Sequence, residues 1–205
     1  MLHALHTSTH VEAMRSALSA TRKAGARLRY DTLLPVLKNT PDSPVMQFNI
    51  REAQKEETGA LFSLLLLAEP SESALRWSLQ NLSDAVYVME DDGGQAVAAA
   101  TMRWARDPCE MLELAVLPER QGAGLGKIFV AWLIEEARRR GKQEMFVGTS
   151  STSAGNIIFY QKCGFRIDHV RHDYFWYYDE PVYENGLAVR DMLVFRHDLA
   201  AEDNQ

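Results

Sequence analysis

The sequence predicts one α+β domain: a mixed, mostly antiparallel central sheet flanked by helices, preceded by a helical extension. Three observations carry this. Residues 85–90 and 95–104 are apolar runs of strand length on either side of Asp91-Asp-Gly-Gly94, which reads as an antiparallel hairpin. Residues 111–137 then run strand, glycine loop, helix. After a further strand and a short helix, the chain returns to strand patterns at 165–171 and 188–197. A length of 205 residues with 46% hydrophobic side chains suffices for one well-buried domain and falls short of two.

Taken in order, residues 1–45 differ from the rest. His3, His6 and His10 open a polar segment, and with no carboxylate or cysteine to complete a metal set they read as a solvated tail. Residues 11–27 are alanine-rich and suit a helix with Met14, Leu18 and Ala24 inward, while 31–37 add a turn. The linker Asn39-Thr-Pro-Asp-Ser-Pro44 follows. The domain proper is expected over 46–199, with 200–205 a tail. Met46 is expected to be the true start, or 1–45 to be dispensable. An insoluble product on expression from Met46 would overturn this.

Residues 48–51 read as the first strand and 55–68 as a helix stopped by Pro70. Ser71-Glu-Ser starts another helix over 74–82, carrying Leu75, Trp77 and Leu79. Beyond the hairpin come a strand at 110–117 and a helix at 124–140. In that helix Leu125, Ile128, Phe129, Trp132, Leu133 and Ala137 recur on one face. Gly141 stops it. A strand at 144–149, a serine-rich loop at 150–155 and a helix at 156–163 closed by Gly164 complete the pattern.

Composition excludes several classes. A net charge of −6 without a lysine or arginine stripe argues against a nucleic-acid partner and favours a cationic or amine-bearing one. Cys109 and Cys163 have neither metal-ligand nor disulfide-framework spacing, which suits a reducing cytoplasm. The longest apolar run, residues 61–68, is far short of the ~18 residues a membrane span needs. The amino terminus lacks the charged and apolar segments of a secretion signal.

The stretch VLPERQGAGLGK, 116–127, carries the chemistry. Gly122, Gly124 and Gly126 strip every second side chain from the start of a helix. The exposed N–H groups and the helix dipole there suit a phosphate or pyrophosphate. A Walker A loop does not fit: only three residues separate Gly122 from Gly126, and Ile128 stands where Ser or Thr is needed. The dinucleotide pattern G-x-G-x-x-G would need glycine at Lys127. Q-x-x-G-x-G, at Gln121, Gly124 and Gly126 after a strand, does fit. It resembles the acyl-CoA loop of the GNAT superfamily of N-acetyltransferases. Thirty residues on, Asn156, Tyr160 and the closing Gly164-Phe165 resemble the second signature of that family. The likeness covers about 47–199 and is densest over 110–165.

That resemblance implies a GNAT fold, acetyl-CoA as cosubstrate, no metal, and direct transfer of acetyl to a primary amine of a small molecule or peptide in a ternary complex. A homodimer is compatible with it. It implies that backbone groups of Leu114, Ala115 and Val116 pair with the pantetheine arm. Gln121, Gly122, Gly124, Gly126 and Lys127 would hold the pyrophosphate, with Arg120 or Lys127 adding charge. Tyr160 becomes the general acid, its reference pKa of about 10 keeping it protonated. Asn156 would bond the pantetheine or the loop, and Lys162 the adenosine phosphates. For the base, Glu110, six residues before Val116, is favoured over Glu113, which interrupts an apolar strand. Three residues apart, the two face opposite sides of a regular strand unless a bulge intervenes. Aromatics and carboxylates at 172–180 and 184–186, opposite the Trp77 helix, suit an ammonium group. The alternatives are another acyl group, an oxygen acceptor, or a sensor or interaction module that binds acyl-CoA without turnover.

Overall fold

In chain order the strands are β1 (Asn49–Glu52), β2 (Ala85–Glu90), β3 (Ala96–Arg103), β4 (Cys109–Val116), β5 (Glu144–Ser150), β6 (Arg166–Arg171), β7 (Tyr183–Glu184), β8 (Leu187–Ala188) and β9 (Met192–Asp198). The helices are α1 (Thr58–Leu65), α2 (Glu72–Asn81), α3 (Leu125–Arg139) and α4 (Ala154–Lys162). They come from a computed structural model that describes residues 48–178 and 180–200. The expected extension over 1–45, the Met46 boundary and the tail beyond 200 lie outside the described residues. Residues 50–89 and 96–200 belong to one compact unit, while Phe48, Asn49 and the 90–95 turn group separately. In that turn the Asp91 carboxylate accepts the N–H groups of Gly93 and Gln95 at 3.1 Å, as an Asx turn does.

Seven strands form one sheet in the order β1-β2-β3-β4-β5-β9-β6, and β7 and β8 form a separate hairpin. The apolar runs of β2 and β3 are buried on both faces, so helices must cover both. On one face Leu61, Leu64 and Leu65 of α1 and Leu75 of α2 pack with Val86, Val88, Ala99 and Ala115. Tyr87, between Val86 and Val88, points the other way and meets Trp132 of α3 at 5.3 Å. There α3 buries the predicted stripe Leu125, Ile128, Phe129, Leu133 and Ala137. Ser71 caps α2 by accepting the Ala74 N–H at 3.3 Å, as its position before the apolar spacing predicts.

Two expectations are corrected, and one alternative left open is decided. The helix over 55–68 is a 3-10 turn at Lys55–Glu57 followed by α1, which loosens after Leu65 into i→i+3 bonds from Leu67 and Ala68. The last strand begins at Met192, because 183–188 fold back as a hairpin around Asn185 (φ 54°) and Gly186 (φ 77°). The open alternative, a bulge between Glu110 and Glu113, is present in β4. This strand pairs antiparallel with β3 from Ala98↔Val116 to Thr101↔Glu113, then slips, so that Met102 faces Met111 and Arg103 faces Glu110. Leu112 is the extra residue of a β-bulge. Thr101 and Arg103 share a face, so Glu113 and Glu110 opposite them share it too.

Beyond the bulge the strands also separate. Parallel pairing of β4 with β5 covers only Cys109↔Met145 to Met111↔Val147. From there β5 continues along β9 to Ser150↔Met192, and β4 continues along β3 alone among the described residues. One edge of residues 114–116 therefore opens onto a gap in the middle of the sheet.

Candidate active site

The gap is the centre of a cleft of about 1440 Å³. Leu114, Ala115 and Val116 line one side, Gly148, Thr149 and Ser150 the other, with the glycine loop at one end and the aromatic loop 172–178 at the other. The loop is built to keep its amides bare. After a 3-10 turn at Pro118–Arg120, the Gln121 side chain donates to the Val116 carbonyl at 3.0 Å and staples the loop to the strand it leaves. Gly122 (φ 76°) and Gly124 (φ 84°) are left-handed, and Gly124 is the N-cap of α3. The first helical bond runs from Ile128 N–H to Gly124 O at 3.2 Å, so the N–H groups of residues 125–127 point out of the terminus without helical partners. At Gly126 a Cβ would lie 3.2 Å from the Phe159 ring, which presses α4 against the first turn of α3.

On α4, Tyr160 is buried against Phe159, Phe165 and Phe195, with ring centroids 5.1–6.0 Å away, and lines the cleft. Burial pushes its phenol above the usual value, so it stays protonated throughout the physiological range. Asn156 donates to Thr149 Oγ1 at 3.2 Å and ties the first turn of α4 to β5. Lys127 is part of the lining, whereas Lys162 stands on the exposed last turn of α4, outside it.

The two glutamates have different company. Glu110 lies between Arg171 at 3.3 Å and Arg103 at 3.8 Å, an ion-paired trio. Glu113 is 8% exposed and has no cationic partner among the described residues. Ser78 Oγ of α2 donates to it at 2.7 Å, Thr101 Oγ1 donates to its other oxygen, and its own N–H returns to Thr101 Oγ1 at 3.1 Å. Desolvation outweighs the Ser78 bond, and with the nearby charges of Glu69 and Glu110 it pushes the carboxyl up to about 7. Glu113 is thus poised to exchange a proton near neutral pH.

Of the expected catalytic and cofactor residues all but Lys162 line this one cleft; of the expected acceptor segments, 172–178 and Glu184 line it, whereas Glu180, Asn185 and Gly186 do not. Three others were not foreseen. Ser78 stands three residues after Leu75 on the buried face of α2, a polar interruption of an apolar stripe. Thr101 is recognisable only from the β3–β4 register. Glu69, just before the helix-stopping Pro70, accepts the Ser71 N–H at 2.9 Å and the Tyr177 hydroxyl at 3.0 Å, joining the α1–α2 loop to the aromatic loop. Among the described residues no group of three or more His, Cys, Asp or Glu is set to hold a metal, and no helix is long and apolar enough to cross a membrane.

A strand pair that parts beside an amide-rich helix terminus, with a buried tyrosine and a raised glutamate along the gap, is a candidate site for acyl transfer. Residues 49–165 match the model of the acetyltransferase (GNAT) family, and the chain belongs to that family. It is similar to the uncharacterized N-acetyltransferase YvbK of Bacillus subtilis (strain 168), 34% identical over 149 residues, which are 72% of this chain and 95% of the relative. Among solved structures, a GNAT family acetyltransferase from Elizabethkingia anophelis with acetyl-CoA bound superposes with a TM-score of 0.68 at 27% identity, covering 74% of this chain and 97% of the other. A Bacillus subtilis acetyltransferase in complex with CoA gives 0.66 at 32% identity, covering 74% and 98%.

Proposed function

We propose that the protein moves the acetyl group of acetyl-CoA directly to a primary amine held in the same cleft. One observation carries this: β4 leaves β5 after Met111, where its free edge runs straight into the glycine loop. An amide-containing arm can pair with the backbone of Leu114, Ala115 and Val116 while a diphosphate meets the N–H groups at the start of α3. Space supports the fit, since positions 122 and 124 face no atom within 4 Å. The acetyl-CoA and CoA of the two solved relatives support the same cosubstrate.

In this reading a backbone N–H of residues 114–116 polarises the thioester carbonyl. The acceptor nitrogen bonds the carbonyl carbon as the carbon–sulfur bond breaks. Tyr160 gives its proton to the departing thiolate, and Glu113 takes the proton the amine loses. Glu113 is preferred to Glu110, which arginines on both sides hold as an ion pair. Solvent then exchanges the protons on the two side chains. The test is thiol release from acetyl-CoA with a panel of amines, beside calorimetry of CoA binding. Release that requires an amine is expected. CoA binding without release for any amine would overturn the reading in favour of a sensor.

A further inference from the structure

The far end of the cleft has a chemistry of its own. Both Lys and Arg residues of the lining, Arg120 and Lys127, sit at the glycine loop. The rest of the lining carries Glu69, Glu110, Glu113, Asp173 and Glu184. Arginines neutralise Glu110 and, through Arg190, Asp173. His172 faces Asp191 at 3.6 Å. Glu69, Glu113 and Glu184 have only neutral donors among the described residues: Ser71 N–H and Tyr177 for the first, Ser78 and Thr101 for the second, Thr152 and Ser153 for the third. A site of this kind attracts an ammonium and repels a carboxylate.

Its walls are apolar and flat. Trp77 and Trp176 line the cleft and are 56% and 84% exposed, unusual for indoles. The 174–178 loop, which carries Trp176, is held by its own rings, Phe175 stacked on Tyr178 at 5.5 Å and 12°, Tyr177 against Tyr178 at 4.8 Å. The Glu69–Tyr177 bond anchors that loop to the opposite wall. An exposed aromatic surface already ordered at this end of the cleft suits a ring or a bulky apolar group better than a hydrated chain.

Resting on the transferase reading, we infer that the acceptor is a monoamine with an aromatic or bulky apolar body and no carboxylate of its own. Its nitrogen is directed to Glu113 and its body lies against Trp77 and the 174–178 loop. Trp77 and Tyr177 are then specificity-determining residues, and Glu69 a positioning residue that holds Tyr177.

The test compares acceptors that differ by one feature. 2-Phenylethylamine and phenylalanine differ only by a carboxylate, and like charges brought together without compensation predict at least about 100-fold higher kcat/KM for the amine. The ring predicts about tenfold preference over n-butylamine, which Trp77→Ala narrows toward unity. Glu69→Gln raises KM for phenylethylamine more than it lowers kcat. A preference for phenylalanine or for spermidine, or an unchanged ring preference in Trp77→Ala, would overturn the inference. Should no amine release thiol, the transferase reading itself fails. Quenching of tryptophan fluorescence by phenylethylamine but not phenylalanine, in the CoA-loaded protein, then still decides what the pocket accepts: quenching by both or neither overturns the inference.

Discussion

Replacing Glu113 with glutamine separates the cost of burying this carboxylate from its use. The side chain is 8% exposed, and its pKa rises from 4.5 to about 7, with burial the leading cause. At about 1.4 kcal/mol per unit, ionised Glu113 costs the folded protein about 3 kcal/mol. The folded state binds this proton more tightly than the unfolded chain does. Glu113 therefore costs nothing below pH 4.5, stability falls as pH climbs from 4.5 toward about 7, and the loss is constant above that. Glutamine cannot ionise and lacks this slope. Its amide asks Ser78 or Thr101 to turn from donor to acceptor, a mismatch of about 1 kcal/mol. At pH 8, Glu113→Gln should thus be more stable than the parent by about 2 kcal/mol, and near pH 4.5 slightly less stable. Urea unfolding at both pH values measures the difference. If Glu113 is the proton acceptor, the parent's kcat/KM also rises about tenfold per unit up to about pH 7, and the variant loses about 10²–10⁴-fold in turnover. Parallel stability curves for the two proteins would refute the raised pKa. Parent-like turnover in the variant would remove Glu113 from proton transfer, whatever its effect on stability.

Three further outcomes follow from the same geometry. Tyr160→Phe keeps the aromatic packing and removes only the proton donor, so kcat should fall about 10²-fold while the calorimetric Kd for CoA stays within about twofold. Glu110→Gln leaves Arg103 and Arg171 facing each other without their shared carboxylate; chemical denaturation should register a loss of about 1–2 kcal/mol, with turnover far less affected than in Glu113→Gln. Gly126→Ala places a methyl 3.2 Å from the Phe159 ring and should raise KM for acetyl-CoA; Phe159→Leu in the same chain should restore part of the loss.

The parts of the site that were legible in the sequence are those made within one short stretch of chain. Gly122, Gly124 and Gly126 announce an open helix terminus because the backbone they permit is local. Asn156 and Tyr160, four apart, lie on one side of α4 however the helix packs. The hairpin at 183–188 also carries a local signal, the two-residue turn Asn185-Gly186. The choice of base was not legible, because it depends on pairing between strands. Parity along a regular strand separates Glu110 from Glu113, and Leu112 undoes that parity by adding one residue to β4 with no counterpart on β3. The same insertion brings Glu110 opposite Arg103 and leaves Glu113 opposite Thr101. Glu110 is thereby ion-paired, while Glu113 sits among neutral donors, where desolvation raises its pKa. Position 112 therefore sets which glutamate faces Arg103 and which faces Thr101, although its own side chain need touch neither.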